Sequence, residues 1–353
     1  MIVVFAMAAA LWGLGAMMRA PRKARFYMIG LLYVGVLILQ ITLPAGHPLR
    51  EATGGSAALW VLIGAFAAIA ALYGQVIGRL RNRAQAKQSA DEVPPVRGES
   101  FSATELERYA RHIVMREIGG PGQKALREAK VLVIGAGGLG APALQYLAAA
   151  GVGTIGVIDD DIVENANLQR QIIHRDQDID MPKVFSAQAA MVAQNPYVDV
   201  RPYHRRLTEE VAADLFAEYD LVLDGTDNFE TRYLANRVAA ALGKPLISGA
   251  LSQWEGQISV FDPASGVPCY QCVFPKAPAD GLAPSCAEAG VIGPLPGVIG
   301  SMMAVEAIKI LTGAGQALRG EMLIYDALWG ETRKITLKRR VDCPVCGDVT
   351  GNA

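Results

Sequence analysis

The sequence predicts an α/β protein with a Rossmann-like, doubly wound sheet, preceded by N-terminal transmembrane helices. Three observations lead to this prediction: three apolar runs before residue 80, a glycine-rich turn at Gly135–Gly140, and alternating strand and helix patterns after residue 104. We divide the 353 residues into a transmembrane region of about three helices at 1–80, a flexible linker at 81–103 and an α/β domain at 104–353.

Composition and charge limit the possible partners. The net charge is −1 at pH 7, so no overall positive field predicts binding to nucleic acid. Apolar residues make up 52% of the chain, and the excess lies before residue 80. The composition therefore predicts contact with a membrane.

The predicted membrane region consists of three uncharged apolar runs, Ile2–Met18, Phe26–Leu43 and Ala57–Ile77. A helix of about 18 residues is roughly 27 Å long, close to the thickness of a bilayer core. The first run lacks a basic start and a small-residue cleavage site, so we do not expect a signal peptide. It either spans the membrane or lies in the interface, and a buried soluble hairpin is the alternative for all three runs.

Basic clusters between the first two runs and after the third predict the orientation. Their members are Arg19, Arg22, Lys23, Arg25, Arg79, Arg81, Arg83 and Lys87. Short loops rich in Lys and Arg stay in the cytoplasm. We therefore expect a multi-pass protein of the inner (cytoplasmic) membrane, with the α/β domain in the cytoplasm. The polar segment Ala84–Ser100, which contains Pro94 and Pro95, is expected to be a flexible tether.

The α/β domain is expected to begin with a helix, for which Thr104–Glu107 resembles a capping box. Short apolar runs predict strands at 130–134, 154–159, 220–224 and 245–248, followed later by 257–261, 322–325 and 333–338. Helices are expected at 141–150, 181–194, 231–242 and 297–312. The last helix should have a packed face, formed by Val298, Ile299, Met302, Val305, Ile308 and Leu311.

The glycine-rich turn lies between a predicted strand and a predicted helix. Glycines there let the backbone approach a phosphate, whose charge faces a helix N-terminus. The four glycines are Gly135, Gly137, Gly138 and Gly140. Asp159 ends the next strand, where a carboxylate can hold a ribose hydroxyl. The pattern fits NAD, FAD or ATP, and a turn without a ligand is the alternative.

Further polar segments lie near the ends of the same strands, at Asn167–Gln171, Lys183 and Asp224–Asn228. Arg170 and Lys183 suit a triphosphate, and Asp227 suits Mg²⁺. Each side chain alone could be a solvated charge, but a hydride-transfer site needs no such set. The chain has no Walker A motif, which excludes a P-loop enzyme.

Four cysteines occur as two pairs, Cys269 with Cys272 and Cys343 with Cys346. Each pair places two thiols on one tight turn, and two such turns provide the ligands of a closed tetrahedral Zn²⁺ site. The alternatives are two reducible pairs or a disulfide clamp, which are less expected in a cytoplasmic domain.

From about Glu105 to Gly347 the chain resembles the ubiquitin-activating superfamily. It is most similar to ThiF/MoeB/HesA-type adenylyltransferases, which activate ubiquitin-like sulfur carriers for molybdopterin or thiamine synthesis. The motifs that carry the resemblance are Arg108–Arg111, Gly135–Gly140, Asp159–Arg170, Lys183, Asp224–Asn228, Ser285–Gly290 and the two cysteine pairs.

The resemblance implies that the C-terminal Gly-Gly carboxylate of a small carrier protein attacks the α-phosphate of ATP, giving an acyl-adenylate and pyrophosphate. Arg170 and Lys183 would neutralise phosphate charge, Asp227 would bind Mg²⁺, and Asp159 would hold the ribose. The remaining nucleotide-binding residues would be the four glycines, Asn167, Leu168, Gln169 and Asn228.

Partners are also implied by the resemblance. Arg111 would reach the ATP site of a second subunit, like an arginine finger, which implies a homodimer. Cys286 lies in a Pro- and Gly-rich loop and either accepts the acyl group or is an accessory thiol. We expect sulfur to come from a separate sulfurtransferase. A membrane-anchored NAD(P)-dependent oxidoreductase and a non-catalytic nucleotide-binding scaffold stay open as other functions.

Overall fold

The computed structural model describes residues 1–18, 20–91, 98, 100–278 and 289–347. The chain divides into two compact units, Met1–Val93 and Pro94–Ala353. Each unit is described by itself.

The first unit is helical. Its helices are α1 (Ile2–Met17), α2 (Arg22–Thr42), α3 (Pro48–Ala52) and α4 (Ala57–Asp91). The stretches Ala24–Thr42 and Pro48–Gly74 are long and apolar enough to cross a membrane, whereas α1 is a shorter apolar helix of 16 residues. All three predicted apolar runs therefore lie in helices, and the first is the shortest of them.

A small apolar cluster joins these helices. Val4, Val36 and Trp60 are buried, and the Tyr33 hydroxyl donates a hydrogen bond to the Trp60 carbonyl at 2.8 Å. Gly64 permits this approach, because a Cβ atom there would lie 2.0 Å from the Tyr33 hydroxyl oxygen. Outside the cluster, many apolar side chains of this unit are exposed.

Helix α4 differs from the sequence prediction, because it continues through residues 81–91 of the segment expected to be a flexible linker. This part of the chain is rich in Arg, Ala, Gln and Lys, which are strong helix formers. Residues 92–97 and 99 of the predicted linker lie outside the described residues.

The second unit opens with α5 (Ala103–Ile113), whose capping box starts two residues earlier than predicted. The Ser102 hydroxyl accepts from the Glu105 amide at 3.2 Å, and the Glu105 carboxylate accepts from the Ser102 amide at 2.8 Å. Thr104 and Glu107 were the expected pair. The observed pair is reinforced by Arg127, whose guanidinium lies 3.8 Å from Glu105, so the sequence pattern alone chose the wrong register.

An eight-stranded sheet forms the centre of this unit, in the order β3-β2-β1-β4-β5-β6-β7-β8. The strands are β1 (Lys130–Ile134), β2 (Thr154–Ile158), β3 (Asp199–Tyr203), β4 (Leu221–Asp224), β5 (Leu246–Leu251), β6 (Glu255–Phe261), β7 (Glu321–Asp326) and β8 (Glu331–Thr336). Pairing is parallel from β3 to β5 and antiparallel from β5 to β8. The sequence prediction missed β3, an edge strand that contains Pro202.

Helices cover both faces of the sheet, which confirms the predicted doubly wound fold. The other helices are α6 (Gly119–Glu128), α7 (Gly140–Ala150), α8 (Lys183–Gln194), α9 (Glu209–Ala217), α10 (Phe229–Ala241), α11 (Tyr270–Val273) and α12 (Pro294–Thr312). Strand β1 shows the layering: Val131 and Val133 pack with α7, α8 and α12, while Leu132 and Ile134 pack with α9 and α10. Helices α6, α9 and α11 were not predicted.

Helix α12 is apolar enough to be a candidate membrane span, yet 44% of it is buried inside this unit. It contacts α7 so closely that a Cβ atom on Gly300 would lie 2.3 Å from the Leu139 carbonyl oxygen. The predicted packed face is confirmed at Ile299, which is fully buried, and is wrong at Val305, which is 53% exposed. Helix α12 is therefore a core helix of the α/β unit.

We expect Gly300→Ala to lower the free energy of unfolding by about 1–3 kcal/mol, because the added methyl group meets backbone and Pro142. The matched control is Gly297→Ala in the same helix, where a Cβ atom would meet nothing within 4 Å. That change should stabilise the helix by up to about 1 kcal/mol. Chemical denaturation of the full-length protein, followed by circular dichroism, measures both. Equal effects of the two variants would contradict the close α7–α12 contact.

Candidate functional site

A cleft of about 560 Å³ lies at the carboxyl ends of β1, β2 and β4. Chain connections leave β1 and β4 toward opposite sides of the sheet, and ligands of doubly wound folds bind at such a switch point. Most of the predicted site residues line this cleft: Gly135, Gly137, Gly138, Asp159, Arg170, Lys183, Asp227 and Asn228.

The glycine-rich turn between β1 and α7 is held by backbone contacts that exclude a side chain. Gly135 has a φ of +92°, which favours glycine, and a Cβ atom on Gly140 would lie 1.9 Å from the Gly135 carbonyl oxygen. Gly140 is the first residue of α7 and lies behind the cleft lining. The amides of the turn and the N-terminus of α7 form the kind of surface that binds phosphate.

Asp159 follows β2 and fastens the turn from the side. Its carboxylate accepts hydrogen bonds from the amides of Ala136 at 2.7 Å and of Asp161 at 2.9 Å. Burial raises the pKa of Asp159, against the opposing effects of the Lys183 charge and the two amides. Its position at the end of β2 fits the predicted contact with a ribose.

The two predicted cationic residues of the cleft, Arg170 and Lys183, are held by different parts of the chain. The Arg170 guanidinium is held by the Asn167 side-chain oxygen at 3.0 Å and the Ala166 carbonyl at 3.1 Å. Lys183 begins α8, is buried, and places its Nζ atom 2.6 Å from the exposed Asp161 carboxylate. Both side chains line the cleft, so the predicted pair is brought together.

Asn167, Leu168 and Gln169, which we expected to bind the nucleotide, are not among the residues that line the cleft. Asn167 instead orients Arg170 through its side-chain oxygen. Gln169 packs against Gly293, where a Cβ atom would lie 2.6 Å from the Gln169 carbonyl oxygen. This segment therefore positions Arg170 from behind the cleft.

The turn that carries Asp227 rests on a buried ion pair. Asp224 is fully buried and accepts from the Thr226 amide at 3.0 Å and from the Ser248 hydroxyl at 3.0 Å. The buried Arg232 guanidinium lies 3.8 Å from Asp224 and donates to the carbonyls of Thr226 and Gly249. This network fixes the turn from below and leaves the Asp227 carboxylate exposed at the cleft.

Asn228 lines the cleft but its side-chain oxygen is already used as the N-cap of α10, accepting from the Thr231 amide at 2.9 Å. Its predicted role in nucleotide binding is thus limited to the remaining side-chain amide and the backbone. The sequence pattern could not distinguish a cap from a ligand, because Asn serves in both.

Sequence reasoning missed several basic residues of the cleft, namely Arg205, Arg206, Arg232 and Lys276. Arg205 and Arg206 come just after β3. They were not recognised as site residues because that strand was not predicted. The signal was present: the carboxyl end of every parallel strand in such a sheet points toward the same edge. Lys276 lies in the segment after α11. This segment is distant in sequence from the other basic residues of the cleft, and only the fold brings it to the cleft.

Arg111, a predicted catalytic residue, is exposed on α5 and is not among the residues that line the cleft of its own chain. Helix α5 is held firmly, since Arg108 donates to the Gln194 carbonyl at 2.6 Å and Asn195 donates to Tyr109 at 2.8 Å. Cys286 lies outside the described residues.

The two predicted cysteine pairs meet in one buried cluster. All four sulfur atoms lie within 4.8 Å of one another, with contacts of 3.9, 3.6 and 3.4 Å among Cys269, Cys272, Cys343 and Cys346. Zn²⁺ bound by four thiolates at about 2.3 Å places the sulfur atoms about 3.8 Å apart. The four thiols are free rather than disulfide-bonded, so the cluster could bind zinc.

Groups around the cysteine cluster favour the thiolate form of Cys343. Burial acts to raise the pKa of Cys343, but hydrogen bonds from the Cys346 and Val345 amides outweigh it and lower the pKa to about 7. Burial raises the pKa of Cys269 and of Cys272. Gly347 allows the tight turn, because a Cβ atom there would lie 2.6 Å from the Cys343 carbonyl oxygen. The cluster ties the end of the described chain to α11.

The cleft is suited to a nucleotide with several phosphates. A glycine-rich turn and helix N-terminus, basic side chains from separate loops and the exposed carboxylates of Asp160, Asp161 and Asp227 surround one space. The basic side chains can neutralise the charges of a polyphosphate, and carboxylates are the ligands that a divalent cation prefers.

Comparison with known proteins supports the same assignment. The sequence profile described as the ThiF family matches residues 109–345, which lie in the α/β unit. The chain is 51% identical over 252 residues to the sulfur carrier protein adenylyltransferase of Thermus thermophilus, covering 70% of this chain and 93% of that protein. It is 48% identical over 249 residues to the SAMP-activating enzyme E1 of Haloferax volcanii, covering 70% and 92%.

A longer relative is the adenylyltransferase and sulfurtransferase MOCS3 of Bos taurus. It is 44% identical over 267 residues, and the match covers 74% of this chain and 58% of that protein. Among solved structures, the fold is similar to PaaA, with a TM-score of 0.59, 21% identity and coverage of 76% of this chain and 83% of that chain. It is also similar to E. coli MccB with ATP, with a TM-score of 0.58, 21% identity and coverage of 65% of this chain and 70% of that chain. The α/β fold, the family profile and the relatives agree, and the chain belongs to the ThiF family.

Proposed function

We propose that this enzyme uses ATP to adenylylate the C-terminal Gly-Gly carboxylate of a ubiquitin-like sulfur-carrier protein. The observation that carries the proposal is the convergence of Arg170, Lys183 and Asp227 on one cleft beside the glycine-rich turn. The Thermus relative, similar over nearly its whole length, is named for this activity. The carriers served would belong to molybdopterin- or thiamine-type sulfur transfer.

In the proposed reaction, a carrier carboxylate oxygen attacks the α-phosphorus of ATP, and the bond to the bridging oxygen breaks to release pyrophosphate. Two anions must approach each other, so Arg170 and Lys183 would offset the phosphate charge. Asp227 would hold Mg²⁺, which neutralises charge on the departing pyrophosphate. Asp159 would bind the ribose.

Lys183 is prepared for an exchange of partners when phosphate binds. Its present partner, Asp161, has a side chain that is 66% exposed, whereas that of Lys183 is only 6% exposed. An ion pair with an exposed carboxylate is weak, because water competes for it. A phosphate in the cleft could therefore replace Asp161 at small cost.

Arg111 supports a homodimer in this proposal. It is exposed on a helix that is firmly held by Arg108 and Tyr109, yet it does not line its own cleft. We propose that it enters the cleft of a second copy and adds a positive charge there. Sulfur would be supplied by a separate sulfurtransferase.

A protein substrate needs a docking surface as well as a cleft. The turn between β7 and β8 presents Leu328 and Trp329, which are 53% and 76% exposed, and the nearby Trp254 is joined to it by a 2.8 Å hydrogen bond from the Ala327 amide. Strand β7 runs antiparallel to β6 and so ends at the same edge of the sheet as β5. This apolar surface would receive the body of the carrier.

For the first unit we propose insertion in the inner membrane, with the catalytic unit in the cytoplasm. Apolar side chains on its helices are widely exposed, including Phe66 at 79% and Leu31 at 73%. Exposed apolar area of this extent is unfavourable in water, and a bilayer would cover it. The basic residues after the third apolar run support a cytoplasmic position for the catalytic unit.

We expect ATP–pyrophosphate exchange only when a carrier ending in Gly-Gly is present. Asp227→Ala should reduce the exchange rate by about 10²-fold or more, because the metal-binding carboxylate is lost. Asp214→Ala is the control, since Asp214 is exposed on α9 and does not line the cleft. Unchanged exchange in Asp227→Ala would refute this active site.

For the cysteine cluster we propose Zn²⁺ and expect about one equivalent per chain by metal analysis. Cys343→Ser should lose most of this metal and much of the stability of the unit, since structural zinc contributes roughly 10 kcal/mol or more of apparent folding free energy. Cys286→Ser is the control and should keep its zinc. Full zinc content in Cys343→Ser would contradict the assignment. Thioester formation with the carrier, compared between wild type and Cys286→Ser, separately decides whether that thiol displaces AMP and takes the acyl group.

A reporter fused after residue 88 should show cytoplasmic activity, because the last part of α4, after the third apolar run, is rich in basic residues. The control is a fusion in the segment between α2 and α4, after Ser56, which should behave as external. A cytoplasmic result at both positions would overturn the membrane topology.

A further inference from the structure

We propose that His174 is a positioning residue that ties the glycine-rich turn to α8, the helix that carries Lys183. The inference rests on the proposed function only in that the cleft must bind ATP. His174 is 6% exposed and does not line the cleft. It would therefore act on the ligand through the backbone of the turn.

Both backbone groups of one residue in the turn, Ala136, are held by side chains. The Ala136 amide donates to Asp159 at 2.7 Å, and the Ala136 carbonyl accepts from the His174 Nε2 atom at 2.9 Å. A residue held at both its N–H and its C=O cannot rotate freely. Gly137 and Gly138, the next residues of the turn, line the cleft, so this hold would limit how far their backbone can move.

The opposite edge of the imidazole binds α8. The His174 Nδ1 atom lies 2.8 Å from the Ser186 hydroxyl, which in turn lies 2.8 Å from the Asp178 carboxylate. Ser186 is three residues after Lys183, so the two lie about one turn apart on the same helix. His174 thus joins the turn that would bind phosphate to the helix that supplies a cation.

Proton positions agree with this role. A carbonyl oxygen can only accept, so the Nε2 atom of His174 carries a hydrogen. Burial lowers the pKa of His174, which favours the neutral ring. The Ser186 hydroxyl donates its one proton to the Asp178 carboxylate, which can only accept. The Ala136 carbonyl therefore sets the Nε2–H tautomer of His174.

A histidine that merely fills the core would behave differently from a positioning residue. Loss of packing would weaken binding of every ligand, or unfold the unit. Loss of the Ala136 carbonyl contact should weaken binding in proportion to the phosphates on the ligand. Glutamine can replace the Nε2–H donor, whereas leucine fills similar space without one.

The test measures equilibrium binding of ATP and of adenosine to the full-length protein in detergent, by displacement of a fluorescent ATP analogue. For His174→Leu we expect the Kd for ATP to rise about tenfold, with adenosine changed less than about twofold. His174→Gln should restore the Kd for ATP to within about threefold of wild type. Zinc content and circular dichroism should match wild type in both variants.

A second variant, Ser186→Ala, tests the same inference if His174→Leu does not fold. Ser186→Ala removes the link to α8 and should raise the Kd for ATP about threefold without changing that for adenosine. Its control is Gln188→Ala on the same helix, which loses a 3.0 Å bond to the Val200 carbonyl on β3 and should leave ATP binding unchanged. Unchanged ATP binding in His174→Leu and Ser186→Ala, or equal weakening of ATP and adenosine, would overturn the inference. A wild-type protein that binds no ATP would refute the proposed function itself.

Discussion

The structure of the site depends on three glycine backbones in direct contact. A Cβ atom would lie 1.9 Å from the Gly135 carbonyl if placed on Gly140, and 3.1 Å from the Gly140 amide if placed on Gly225. Gly135 directly follows β1, Gly140 begins α7 and Gly225 directly follows β4. Their contact brings the glycine-rich turn and the Asp227 turn together, and any larger side chain would force these two loops apart.

Around this contact, charges are paired in two different ways. Asp224 and Arg232 are both buried, and their groups are satisfied by Ser248 and backbone carbonyls, so removing either one would leave the other unpaired. Lys183 instead pairs with an exposed carboxylate, Asp161. The first pair holds the shape of the turn that presents Asp227, whereas in the second pair the carboxylate faces solvent. A fully buried ion pair and a partly solvated one therefore lie in the same site.

Much of the fold was predictable because its signals are local. Strands β1, β2 and β4 are short apolar runs that end at glycine or aspartate, and the helix after β1 comes directly after a glycine turn. Strand β3 was missed, since an edge strand with a proline has only one neighbour to satisfy and a weak apolar pattern. The capping box at Ser102 was misplaced because Thr104 and Glu107 fit the same spacing. Both errors concern positions where packing chooses between similar local patterns.

By itself the sequence determined the doubly wound class, the glycine turn, the two cysteine pairs and the apolar character of the first 80 residues, because each depends on residue type and spacing along the chain. Only the tertiary structure decided that the cysteines form one cluster, that Asn167 holds Arg170 instead of lining the cleft, and that His174 joins the glycine-rich turn to α8. Some of these contacts join residues that are distant in the chain. In others, the residue type alone is compatible with more than one role. Their partners are chosen by the three-dimensional packing of strands and helices, which no local pattern records.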